Sequence, residues 1–140
     1  MTPNLLSSWN RYQEGMKMDW PFLFNEYDVK TFSTLSKDRN PIHMNESFAK
    51  EKGFDGTIIH GLLLATQISR LVGEMLPDQH AILTGFNIDF VKPAYINDSL
   101  TFKSILIMKS ESTKLLKFNC QIRRGSDTLC QAKVFAIWRP

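Results

Sequence analysis

The stretch from Leu62 to Leu76 limits what this chain can become. Leu62, Leu63, Leu64, Ala65, Ile68, Leu71, Val72, Met75 and Leu76 leave only a narrow polar stripe around a helix, and Pro77 stops the run. A helix apolar on most of its circumference must be enclosed by the rest of the protein, so a buried central helix is expected here. After it the hydrophobic period falls to two. Phe86, Ile88 and Phe90 alternate with polar residues, as do Leu116, Phe118, Cys120 and Ile122, and Cys130, Ala132, Val134, Ala136 and Trp138 follow the same beat. Leu100 to Met108 gives one more strand. Ahead of the helix, Pro21 makes a break before a short first strand at Phe22-Leu23-Phe24. Asp28 caps a short helix carrying Val29, Phe32 and Leu35; Asn45 caps another with Phe48 and Ala49, closed near Gly53. Strands and helices do not alternate as crossovers, so the pattern predicts an α+β fold: an antiparallel sheet wrapped around one long helix.

A chain of 140 residues with 43% hydrophobic and 22% charged residues suits one folded domain. We expect residues 1–24, with Trp9, Tyr12, Met16 and Trp20, to form a docked N-terminal extension, and residues 25–140 to form the domain. The net charge of +3 is small and the cations scattered, which speaks against a nucleic-acid surface. Arg123-Arg124 precede Gly125 and suit a solvated hairpin end. Cys120 and Cys130 make no metal or redox motif and read as core thiols of a reducing compartment. With no leader pattern and no apolar run of spanning length, the expectation is a cytoplasmic protein without a membrane segment.

The chemistry-bearing residues cluster in two places. In Lys37 to Asn45, Asp38 and His43 flank Asn40-Pro41; Pro41 fixes its own backbone and biases Asn40 toward extended geometry, so the imidazole is aimed. His60-Gly61 precedes the apolar helix, where unpaired N–H groups meet a residue without a side chain that an oxygen can approach. Each site alone reads more readily as turn chemistry. Together a carboxylate, an imidazole and a helix N-terminus make an acid/base pair with an oxyanion site. Ser69 either bonds back to its own helix or meets substrate. His60 reads as a packing residue supporting the site, and His80 as an exposed loop residue. Because the three histidines stand in separate contexts, no metal site is expected.

Asp38, Asn40-Pro41, His43 and the run His60-Gly61-Leu62-Leu63-Leu64-Ala65 resemble the motif of the MaoC-like (R)-specific enoyl-CoA hydratases, which have the hot-dog fold. The resemblance runs from about Tyr27 to the end of the chain. It includes Phe90-Val91-Lys92-Pro93-Ala94-Tyr95-Ile96-Asn97-Asp98, where Ala94 and Asn97 replace the more usual Val and Gly, and it puts Ser69 where that family has a serine near the active site. It implies reversible hydration of a trans-2-enoyl thioester to an (R)-3-hydroxyacyl product, in fatty acid metabolism, without metal or redox cofactor. The substrate would be carried on coenzyme A or acyl carrier protein, with Arg70, Lys92, Arg123 and Arg124 as cations able to meet phosphates or an acidic partner. It also implies a homodimer joined sheet edge to sheet edge with substrate between the subunits. Asp38 and His43 would be catalytic, Gly61 and Ser69 would bind substrate, and Asn40, Pro41 and His60 would support them. A hot-dog thioesterase and a non-catalytic acyl-thioester-binding module are the alternative readings.

Overall fold

The computed structural model describes residues 8–140. Five strands form one antiparallel sheet: β1 (Lys17–Phe22), β2 (Ala81–Phe90), β3 (Leu100–Lys109), β4 (Leu115–Arg124) and β5 (Asp127–Trp138), in the order β1-β3-β4-β5-β2. Helix α1 (Glu26–Ser36), two short helices α2 (Pro41–Met44) and α3 (Glu46–Glu51), and the long helix α4 (Gly61–Arg70) lie between β1 and β2. The period-two residues do what their spacing demands. Phe102, Leu106, Phe118, Ile122 and Val134 point to one face and are buried there with Leu63, Leu64, Ile68, Leu71 and Val72 of the helical segment. The sheet therefore curls around α4, and the α+β architecture expected from the sequence is the one found.

Three local expectations are corrected. The first strand is Lys17–Phe22, not Phe22–Phe24, and Pro21 lies inside it opposite Thr101. Proline is tolerated because β1 is an edge strand, where an N–H can be dispensed with. Helix α1 starts two residues before Asp28: Asn25 is its cap, accepting from the Asp28 N–H at 2.9 Å while Asp28 accepts from the Asn25 N–H at 2.9 Å. The long helix is α-helical only to Arg70, and Leu71–Met75 widen into a π turn before Leu76 becomes extended.

Two carboxylates help hold the segment before β1: Glu111, which accepts from Trp9 Nε1 at 2.7 Å, and Asp78. Asp78 accepts from Tyr12 Oη at 2.6 Å, Trp138 Nε1 at 2.9 Å, the His80 N–H at 3.0 Å and the Ser8 hydroxyl. Trp9 and Tyr12 are buried as a result, Trp9 lying 5.3 Å from Trp138 between ring centroids. Cys120 and Cys130 are buried and unpaired, burial pushing their thiols up to about 12 and about 11. No helix among the described residues is long and apolar enough to cross a membrane.

Candidate active site

The Asp38–His43 segment is built by two helix ends. α1 stops at Ser36, Lys37 turns the chain through the left-handed region with φ 66°, and Asp38 follows at once. Asn40 has ψ 128°, as a residue before proline should, and its side chain accepts from the Ile42 N–H at 3.1 Å. Pro41 is then the first residue of α2, where its missing N–H costs nothing. His43 thus stands on a single helical turn. Asn40 is the cap and Pro41 the first residue of that turn.

The strand-like segment before α4 holds this turn from the other side. The Ile58 N–H donates to the Ile42 carbonyl at 3.1 Å, and the Ile58 carbonyl lies 2.7 Å from His43 Nδ1. A carbonyl only accepts, so Nδ1 carries the proton and neutral His43 presents a bare Nε2. That Nε2 is 3.9 Å from Asp38 Oδ2, too far for a direct hydrogen bond. A water oxygen about 2.8 Å from each atom fits between them, held by one lone pair and one carboxylate oxygen. The His43 side chain is 11% exposed and that of Asp38 50%. The single chain therefore leaves half of the Asp38 side chain open to solvent.

Asp38, His43, His60 and Gly61 line one groove of about 700 Å³ with Phe32, Phe54, Leu62, Leu64, Phe90 and Lys92. Gly61 opens α4, so its end of the helix presents N–H groups without intrahelical partners. The structure adds a packing reason for this glycine. A Cβ there would lie 2.7 Å from Phe90 Cζ, so any side chain at this position would push the exposed Phe90 ring away from the helix start. Ser69 is exposed on α4 and stands outside this groove, so it is not brought to the other candidates within one chain.

His60 is 2% exposed. Its ring stacks on His43 with centroids 3.8 Å apart and planes at 24°. The histidines therefore do not stand apart as the sequence suggested, and ligand-type atoms of Asp38, His43 and His60 lie within 4.8 Å of one another. Stacked imidazoles, however, send their in-plane lone pairs side by side, not toward one point, and His60 Nε2 already faces the Asp38 carbonyl and Ser33 Oγ at 3.1 Å each. The geometry suits a stacked pair better than a chelate. Burial chiefly holds the titration of His60 below that of an ordinary histidine, and nearby His43 adds to this, while the Asp38 carbonyl and carboxylate oppose it. Ser33 and the Ile58 carbonyl went unread in the sequence, and Phe32 and Phe90 were read only as periodic apolar residues. Ser33 and Phe32 carry a helical spacing signal only, and a backbone carbonyl carries none.

Known proteins place this arrangement. The sequence profile of the MaoC-like domain matches residues 10–120, beginning inside the stretch expected as an extension. The chain is 37% identical over 87 residues to an (R)-specific enoyl-CoA hydratase of Aeromonas caviae, and 36% over 89 residues to one of Rhodospirillum rubrum. These matches cover 62% and 64% of this chain and 65% and 62% of the relatives, so a third or more of each relative lies outside the match. The solved (R)-hydratase from A. caviae, described as involved in PHA biosynthesis, superposes with a TM-score of 0.86 at 27% identity, covering 92% of this chain and 98% of that one. A match spanning most of the chain, on a sheet wrapped around the helix that begins at Gly61, makes this protein a member of the MaoC-like domain family.

Proposed function

We propose that the chain catalyses the reversible hydration of trans-2-enoyl thioesters to (R)-3-hydroxyacyl thioesters, carried on coenzyme A or acyl carrier protein. The observation that carries this reading is the 3.9 Å gap between His43 Nε2 and Asp38 Oδ2 at the wall of an apolar groove, with His43 Nδ1 committed to Ile58. Hydratase relatives support the same chemistry.

Water is a poor nucleophile, and C3 of a conjugated thioester is weakly electrophilic. A water between Asp38 and His43 gives a proton to the bare Nε2 as its oxygen bonds to C3. The C2–C3 π pair then moves onto the thioester as an enolate. N–H groups at the Gly61 end of α4 stabilise the enolate oxygen, and a proton returned by the Asp38–His43 pair to C2 completes the addition. Acid/base help of this kind contributes ~10²–10⁴ in rate and one oxyanion donor about 3 kcal/mol, so the two together are needed.

A second copy of the chain completes this reading. β2 is an edge strand, and Phe86 and Phe90 on its inner face, Val91 just beyond it and Leu62 on α4 are exposed, Leu62 at 64%. Apolar surface beside an open strand edge is what edge-to-edge pairing covers. A partner there also removes Asp38 from water, and a role for Ser69 requires such a copy.

The test is incubation of purified protein with crotonyl-CoA while enone absorbance and free thiol are followed together. Loss of enone without thiol release supports hydration. Thiol release marks a thioesterase, and no change in either signal defeats the proposal for this substrate. A molar mass in solution of a single chain removes the dimer.

A further inference from the structure

We infer that His60 is a positioning residue for the proposed hydration: a neutral imidazole whose ring backs His43 and whose Nε2–H holds the main chain of Asp38, so one buried side chain sets both halves of the pair. The inference rests on the hydratase reading.

Hydrogen bonding fixes its tautomer. His60 occupies the cap position of α4 yet makes no side-chain cap bond, so helix initiation does not explain the imidazole. Its Nε2 lies 3.1 Å from the Asp38 carbonyl, which can only accept, so Nε2 carries the proton. Ser33 Oγ, 3.1 Å away, directs its own hydrogen to Met44 Sδ at 3.3 Å and shares the Nε2–H. Among the described residues Nδ1 is buried without a partner. A bare lone pair is the less costly group to leave there: the opposite tautomer would strand a buried N–H and turn a lone pair on the Asp38 carbonyl.

Packing fixes its plane. Phe32 meets the His60 ring edge-on at 4.8 Å and 62°, and His43 lies on its face. The ring cannot turn without displacing one of them, so His43 is held with Nε2 toward Asp38. When His43 accepts the proton of water it becomes a cation over a neutral π face, an attractive arrangement. The titratable groups facing the stack are Asp38 and His43 themselves, with Lys92 also lining the groove. Two protonated rings at 3.8 Å would repel, so the proton goes to His43 alone.

Two substitutions separate the ring from the donor. His60→Phe keeps a face against His43 and loses the N–H to Asp38; His60→Gln keeps a donor and loses the face. Each is expected to lower kcat for crotonyl-CoA hydration by ~10-fold or more with KM changed less than about 2-fold. The acid limb of the kcat–pH profile is expected to move to lower pH in His60→Gln and to stay in place in His60→Phe. Unchanged kcat in both variants, or lost kcat with both profiles superimposed on the parent, reduces His60 to packing and overturns the inference. Imidazole 15N spectra of the unsubstituted protein decide it even where a variant fails to fold. A His60 whose neutral ring carries its proton on Nε2, and which is still mostly uncharged at the ordinary histidine value of 6.5, is expected; a proton on Nδ1, or a mostly charged ring at that pH, overturns it. Absence of enone turnover by the unsubstituted protein defeats the hydratase reading separately, leaving those spectra to judge the geometry.

Discussion

Asp38 and Asp78 are both carboxylates in short turns, and the chain treats them in opposite ways. Asp78 accepts hydrogen bonds from Ser8, Tyr12, Trp138 and the His80 N–H, so both oxygens are used. Among the described residues the Asp38 carboxylate accepts one hydrogen bond, from the Asn40 N–H to Oδ1 at 3.2 Å, and its Oδ2 lies 3.9 Å from His43 Nε2. A saturated carboxylate ties segments together; one with an open oxygen beside a bare imidazole nitrogen has capacity left for a reacting water. The two histidines repeat the contrast, since His60 Nε2 is spent on Asp38 and Ser33 while His43 Nε2 is kept open.

The contrast breaks most visibly at the open pair. Asp38→Asn and His43→Ala should each cut crotonyl-CoA hydration by at least ~10², with a melting temperature close to that of the parent. Steady-state kinetics beside a thermal scan checks both halves. Asp78→Ala should do the reverse, costing about 2 kcal/mol by leaving Tyr12, Trp138 and Ser8 donors unpaired while kcat/KM changes little. Urea unfolding followed by tryptophan fluorescence reads it directly.

Gly61→Ala drives a methyl into the Phe90 ring, which must swing into the groove. A fall of ~10-fold in kcat/KM is expected, and Gly61→Ala combined with Phe90→Leu should regain part of it. Of the four cations singled out in the sequence, Lys92 alone lines the groove, its Nζ paired with half-exposed Asp127 at 3.0 Å; Arg124 is held by Asp98 at 2.7 Å, Arg123 by the Ser126 carbonyl at 2.7 Å, and Arg70 lies over Trp20. Lys92→Ala should raise KM for a coenzyme A thioester about 3-fold at constant kcat, the signature of lost uniform binding.

Acid should separate the buried groups in sequence. His60 titrates below an ordinary histidine, so the unfolded chain takes up a proton that the fold refuses, and stability falls as pH drops below ~6.5. Burial pushes Asp78 upward, but its bonds from Ser8, Tyr12, Trp138 and His80 outweigh this and hold it below the usual carboxylate value. Its contribution is present above ~3.9 and is lost as pH falls through the lower folded value. Melting temperature against pH should therefore decline in two stages, the first missing in His60→Phe and the second in Asp78→Ala.

The sequence displayed whatever depends on periodicity. The enclosed helix, the four later strands and the α+β class follow from spacing, and Asp38, His43 and Gly61 were marked by their combination, each site alone being ordinary turn or helix-start chemistry. Contacts from distant parts of the chain had no such signature. Nothing in the sequence ties Ile58 to His43, stacks His60 on His43 or seats Phe90 on Gly61, because each pairing is set by how α2 and the Ile58 segment dock. Pro21 misled for a related reason: whether a proline breaks a strand depends on whether that strand has a neighbour on both sides.

The central claim is that the open Asp38–His43 pair adds water to C3 of an enoyl thioester. Its most direct test is simultaneous measurement of enone absorbance and free thiol with crotonyl-CoA, for the parent and Asp38→Asn. The account requires enone loss without thiol in the parent and a loss of at least ~10² in the folded variant. Thiol release by the parent, or near-parental enone turnover by Asp38→Asn, would contradict it.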